Sequence, residues 1–164
     1  MRKQQKGFSL IELLIVVAII LIIAAIAIPN LLRARISANE ASAVSSMRTM
    51  NTAAITYNST FGAYPLALSD MGPVTPGSIP TSTSADLLEQ VLGGTAVPAV
   101  KSGYNFTFAT PNAALGGTAG TTYSINADPQ VNNQTGVRHF YTDESGVIRV
   151  NTSTTAQVTD SPLN

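Results

Sequence analysis

The feature that most constrains this chain is an apolar run from Phe8 to Leu32 that contains a single charge, the carboxylate of Glu12. The run is about 25 residues long, or roughly 37 Å as an α-helix, which exceeds the ~30 Å hydrocarbon core of a bilayer. Three basic side chains lie within the first six positions, so the positive-inside rule puts the N-terminus in the cytoplasm. The segment is predicted to cross a membrane once, with the rest of the chain on the outer side.

The Glu12 carboxylate is energetically unfavourable in a membrane-spanning helix. An Asp at the centre of a membrane-spanning helix costs about 2.5–3.5 kcal/mol on insertion scales, and a buried carboxylate needs a cation. Two opposite charges about 4 Å apart gain roughly 4 kcal/mol at an effective dielectric constant of 20. Glu12 is therefore predicted to need a cationic partner; the alternative is solvation among the lipid headgroups.

The sequence around this carboxylate carries a family resemblance. Residues 6–12, KGFSLIE, resemble the class III signal of type IV pilins and type II secretion pseudopilins. The shared features are a short basic leader, Gly before the cut, Phe first in the mature chain, Glu fifth, and an apolar helix with a proline at position 29. The resemblance implies that a prepilin peptidase cleaves after Gly7 and methylates the amino group of Phe8. It also implies that the mature subunits polymerise through their apolar helices.

Cleavage after Gly7 would create an amino group at Phe8, about 6 Å from Glu12 along the helix axis. Glu12 is predicted to pair with this amino group, of its own chain or of a neighbouring copy.

The resemblance implies a structural subunit of a bacterial type IV pilus. The subunit would wait in the inner membrane and be built by an assembly platform into an extracellular filament of identical copies. The alternative within the family is a major-type pseudopilin of a type II secretion system, which acts in the periplasm. A membrane-anchored binding domain that forms no polymer is a third reading, but it leaves Gly7, Phe8 and Glu12 unexplained. In the family the corresponding proline marks a helix bend, so a bend is expected at Pro29.

The remaining sequence predicts five segments. They are a leader over 1–7, a membrane and filament-core helix over 8–32, an amphipathic helix over 33–61, a variable loop with a short helix over 62–100, and an antiparallel sheet with a C-terminal tail over 101–164. Apolar side chains at three- and four-residue steps predict which face of the amphipathic helix meets a core. That face comprises Ile36, Ala43, Val44, Met47, Met50, Ala54, Tyr57 and Phe61. Glu40 is placed with the polar side chains off this face.

Turn and strand signals complete the expected fold. Ser84 is predicted to cap a helix over Ala85–Leu92, which the Gly93-Gly94 pair ends. β-Branched and aromatic runs predict about four strands, namely Tyr104–Ala109, Thr121–Ala127, Val137–Thr142 and Val147–Asn151. Residues 143–146, DESG, predict a hairpin turn between the last two strands. The fold class is α+β: a long helix, apolar then amphipathic, packed on a small antiparallel sheet as a pilin-like lollipop.

Several function classes have little support in this sequence. The chain has no Cys, which excludes disulfides, thiolate metal sites and a Cys nucleophile. His139 is the single histidine and no nucleophile motif accompanies it, so neither an enzyme nor a cofactor is predicted. No stripe of basic residues suggests nucleic-acid binding. Asp128, Asp143 and Glu144 offer oxygen ligands for Ca²⁺, but no spaced ligand loop joins them, so no metal is predicted.

Overall fold

A computed structural model describes residues 8–110 and 120–163 of the 164-residue chain. The chain divides into two compact units, with the division between Arg35 and Ile36. One helix, α1 (Leu10–Phe61), begins in the first unit and ends in the second.

The first unit consists of the apolar part of α1. Its most apolar 18-residue window has a mean hydropathy of 3.3 and no buried residue, so α1 is long and apolar enough to cross a membrane. This bears out the predicted membrane-length helix by length and composition. The helical hydrogen-bond pattern continues across Pro29, although proline lacks the N–H for one bond. The helix is therefore continuous through Pro29, and the bend expected there stays a prediction.

In the second unit, one face of α1 packs on the hydrophobic core. The predicted core positions Ala43, Met47, Met50, Ala54 and Tyr57 are all buried. Ile36 and Val44 are half-buried, and Phe61 lies near the edge of the core with 36% of its surface exposed.

The prediction for Glu40 is wrong, because this side chain is buried among the apolar ones. Three further positions of α1 that the sequence did not assign to the core, Ser46, Asn51 and Ala53, are buried as well. The buried face of the helix is thus wider and more polar than the apolar pattern indicates.

The sheet has six strands rather than about four, and each is antiparallel to the next in chain order. The strands are β1 (Ala99–Lys101), β2 (Tyr104–Ala109), β3 (Ser124–Pro129), β4 (His139–Asp143), β5 (Arg149–Asn151) and β6 (Ser161–Pro162). The two unpredicted strands are the short outer ones, β1 and β6. Buried residues alternate along β2, β3 and β4, so one face of the sheet meets the core and the other faces outward.

The four predicted strands are present, with some bounds shifted. β2 has the predicted bounds, whereas β3, β4 and β5 begin two or three residues later than expected. At β4 the reason is visible: the N–H of Val137 donates to the Glu40 carboxylate. The hairpin turn is confirmed, since the Gly146 N–H donates to the Asp143 carbonyl oxygen at 2.9 Å and Gly146 adopts φ of +71°.

The segment between helix and sheet departs most from expectation. It contains a 3₁₀ turn, Leu68–Met71, and a one-turn helix, α2 (Gln90–Gly93), instead of a helix over 85–92. The Ser84 hydroxyl donates to the Pro73 carbonyl oxygen rather than capping a helix, and Asp86 adopts φ of +56°, which interrupts helical backbone. The N–H groups of residues 85–88 donate to carbonyl oxygens of residues 70–72. Tertiary hydrogen bonds therefore replace the predicted helical ones.

Candidate functional site

The first turn of α1 forms a capped helix N-terminus around Glu12. Ser9 precedes the first helical residue, and its carbonyl oxygen accepts a hydrogen bond from the Leu13 N–H. The Glu12 carboxylate reaches back and accepts the Ser9 backbone N–H at 2.9 Å through Oε2. Glu12 thus occupies the third helical position, where a carboxylate satisfies an unpaired N–H and meets the positive end of the helix dipole.

This cap places the carboxylate beside the residue predicted to become the new amino terminus. Phe8 directly precedes Ser9, the residue whose N–H Glu12 binds, and Phe8 is 82% exposed. Gly7, the predicted residue before the cut, lies outside the described residues. The predicted pairing of Glu12 with an amine at Phe8 remains a prediction. The geometry adds a partner that the sequence did not suggest, the backbone N–H of Ser9.

The surface of α1 beyond this turn is apolar on every side. From Leu10 to Leu32, the large apolar side chains keep between 44% and 76% of their surface exposed. Soluble proteins rarely expose an apolar surface of this extent, because its hydration is unfavourable. Contact with a bilayer or with other apolar helices would remove this surface from water. The arrangement can support insertion or polymerisation.

A second carboxylate, Glu40, links the helix and the sheet of the second unit. Its Oε1 accepts the N–H groups of Val137 and Arg138 at 3.0 and 3.1 Å, and its Oε2 accepts the Arg138 Nε at 2.7 Å. Burial acts to raise the pKa of Glu40, but the hydrogen bonds and the Arg138 charge outweigh it, so the pKa lies below its ordinary value of 4.5. Glu40 thereby ties α1 to the start of β4.

A signal for this site was present in the sequence. Glu40 follows Ile36 by four residues and precedes Ala43 and Val44 by three and four, which is the spacing of a single helical face. What the sequence does not supply is the partner, because the backbone of Val137 lies 97 positions away.

The three candidate calcium ligands are not brought together. Asp128 pairs with His139, whose Nδ1 lies 2.6 Å from Asp128 Oδ1. Asp143 stands opposite Ser124 at the other end of the β3–β4 pair, four positions or about 13 Å along the strands. Its Oδ1 accepts the Ser145 N–H and hydroxyl, which makes it a turn residue. Across residues 8–110 and 120–163, no group of three or more acidic or histidine side chains is placed to hold a metal ion.

Comparisons with known proteins converge on the N-terminal segment. Residues 2–28 match the family model described as the prokaryotic N-terminal methylation motif. This match contains the predicted cleavage position, Phe8, Glu12 and most of the apolar helix.

A curated protein with a similar segment is the "Type IV wide pilus major component PilA4" of Thermus thermophilus, which is 66% identical over 38 residues. The alignment spans 23% of this chain and 29% of that protein. Together with the motif, it confirms the resemblance to type IV pilins drawn from residues 6–12. The α+β architecture, a long N-terminal helix with an antiparallel sheet, agrees with that class.

Proposed function

We propose that this protein is the structural subunit of a type IV pilus. The observation that carries the proposal is the first turn of α1, where the Glu12 carboxylate reaches back beside Phe8 at the start of a helix exposed on all sides. The matches to a methylation motif and to a pilus component support it. The function proposed is mechanical and assembly-based, not enzymatic.

Processing by a prepilin peptidase would supply a cationic partner for the Glu12 carboxylate. Hydrolysis of the Gly7–Phe8 amide leaves a carboxylate on Gly7 and an amino group on Phe8. Methylation of that amine leaves it basic, so it remains a cation at neutral pH. The leader with its three basic side chains stays on the cytoplasmic side, which agrees with the proposed orientation in the inner membrane.

Assembly would then give Glu12 a second partner. In the single chain, the carboxylate is satisfied by the Ser9 N–H. In a filament, the Phe8 amine of a neighbouring subunit would add a charge-assisted contact, worth roughly 4 kcal/mol at 4 Å and an effective dielectric constant of 20. The apolar surface that the bilayer covers before extraction would be covered afterwards by the helices of identical subunits. A bend at Pro29 would help neighbouring helices to pack.

Isolation of surface fibres tests this proposal. Fibres sheared from cells are examined by electron microscopy, and their subunit is analysed by intact-mass spectrometry. The expected result is long fibres whose main subunit begins at a methylated Phe8. Retention of the processed chain in the envelope, with a secretion defect on deletion, would favour the pseudopilin alternative. An unprocessed chain that forms no fibres would contradict both.

A further inference from the structure

A cavity of about 330 Å³ lies beside the C-terminal end of α1. Three aromatic residues line it, Tyr57, Phe61 and Tyr64, together with Asp70 and Thr83. Its volume is at the lower end of the ~300–1,000 Å³ range of ligand pockets. Aromatic faces next to a carboxylate attract an organic cation, through the ring quadrupoles and the negative charge.

The groups that line this cavity are held in place by other contacts. The rings of Tyr57 and Phe61 are 4.7 Å apart, and the Tyr57 hydroxyl donates to the Ser82 carbonyl oxygen at 2.6 Å. The Asp70 Oδ2 accepts the N–H groups of Leu66 and Ala67 at 2.9 and 3.0 Å. Burial first, and then the negative charge of Asp70, raises the pKa of the Tyr57 hydroxyl. The cavity is therefore preorganised for a cation.

The second unit has few basic side chains, and all but one of them have partners among the described residues. Residues 36–164 contain 4 basic and 8 acidic side chains, a net charge of −4. Arg138 pairs with Glu40 and Lys101 with Glu89, and the Arg149 guanidinium donates to the Asp160 carbonyl oxygen.

Arg48, by contrast, lies exposed on α1, and no ion pair joins it to another residue in the described parts of the chain. It is a charged side chain available for an intermolecular contact. Its delocalised guanidinium also stacks on aromatic rings.

The helix geometry excludes the cavity of the same chain as the place where Arg48 binds. Arg48 precedes Tyr57 by nine residues, which at 3.6 residues per turn puts the two on opposite sides of α1. Along the helix axis Arg48 is about 14 Å from Tyr57 and about 20 Å from Phe61. A parallel copy displaced by about 14–20 Å along that axis would bring its own Arg48 level with the cavity.

We propose that the cavity formed by Tyr57, Phe61, Tyr64 and Asp70 binds the guanidinium of Arg48 from a second copy of this chain. The proposal rests on the filament function proposed above. Because the cavity and the arginine are on opposite sides of α1, each copy can use both at once. Such a contact joins unlike surfaces and continues as an open polymer unless rotation closes it into a ring.

Cross-linking in intact fibres tests the contact. Because the chain has no Cys, only the introduced thiols react with the cross-linker. Thr52→Cys places a thiol one helical turn from Arg48 on the exposed surface, and Thr83→Cys places one at the cavity. A short bismaleimide is added to fibres of the double variant. The matched control pairs Thr52→Cys with Val158→Cys, which is exposed in the C-terminal tail.

The expected result is a ladder of cross-linked multimers from the cavity pair, little from the control pair, and at least a fivefold weaker ladder per fibre mass when Arg48→Gln is added. Fibres that give no ladder from the cavity pair, or a ladder that Arg48→Gln leaves unchanged, would overturn this contact and leave the filament function standing. Absence of fibres from the unmodified chain would overturn both proposals, so the two failures are distinguishable.

Discussion

Glu40 shows how one buried side chain can tie distant parts of the sequence together. Glu40→Ala removes the acceptor for two backbone N–H groups and for the Arg138 side chain. Because a buried donor without a partner costs about 1–3 kcal/mol, we expect the free energy of unfolding to fall by that amount. Part of the Arg138 side chain is exposed, which limits the electrostatic share. Denaturant unfolding of the detergent-solubilised chain, followed by tyrosine fluorescence, measures the change.

The matched control for this prediction is Glu89→Ala. Glu89 also pairs with a basic residue, Lys101, but it is more than half exposed. Exposed ion pairs contribute about 0–1 kcal/mol. Equal losses for the two variants would show that the burial of Glu40 and its backbone contacts contribute nothing.

The pKa of Glu40 also predicts an acid-dependent stability. Hydrogen bonds and the Arg138 charge hold this pKa below its ordinary value of 4.5 despite burial, so folding favours the ionised form. The stabilisation is present above the unfolded pKa and is lost as pH falls through the folded pKa. We expect the unfolding free energy to drop more steeply below about pH 4.5 in the unmodified chain than in Glu40→Gln. An equal loss of unfolding free energy with falling pH in the two proteins would be inconsistent with this role.

At the residue scale, the sequence identifies Glu12 but misses Glu40. Glu12 stands alone in an apolar run and next to a recognisable motif, so local information suffices. Glu40 requires a partner that only the folded chain brings near. A local pattern identifies a charge that is out of place along the chain, but not one that tertiary contacts satisfy.

At the scale of elements, the loop between α1 and the sheet is held by close backbone packing. A Cβ added at Gly72 would lie 1.9 Å from the Gly93 carbonyl oxygen, a distance that forces the backbone apart. We expect Gly72→Ala to lower the free energy of unfolding by about 1–3 kcal/mol through overpacking. Ser78→Ala, an exposed change in the same loop, should stay within about 0.5 kcal/mol. The same unfolding assay measures both, and equal stability of both variants would contradict the packing.

The elements differ in how far the sequence determines them. β2 was predicted with its bounds because its aromatic residues alternate with polar ones, and Tyr104 and Phe106 are buried as that pattern requires. The first part of the helix predicted over Ala85–Leu92 does not form, because the N–H groups of residues 85–88 find acceptors in residues 70–72. Only one helical turn, Gln90–Gly93, is present. The edge strands β1 and β6 have two or three residues each and are too short to give a periodic signal.

At the scale of the whole molecule, the two compact units differ in the polarity of their surfaces. The second unit, residues 36–164, contains the buried core and a net charge of −4, while the apolar exposed surface lies in the first. We expect a fragment of residues 36–164 to remain in the supernatant without detergent and to unfold cooperatively, and the full chain to require detergent. Sedimentation and thermal circular dichroism measure this. A fragment that aggregates or unfolds without a transition would show that the core is not self-sufficient.

We infer that cleavage at Gly7 creates the cation that Glu12 requires for assembly. The most direct test compares fibre yield from Glu12→Gln and Glu12→Ala, with cleavage followed by intact mass. Glutamine can still accept the Ser9 N–H as a helix cap but carries no charge, whereas alanine removes both. We predict that both variants are cleaved before Phe8 and that the fibre yield of both falls at least tenfold. Wild-type yield from Glu12→Gln would contradict the claim, because the carboxylate would then act as a cap and not as a partner for the Phe8 amine.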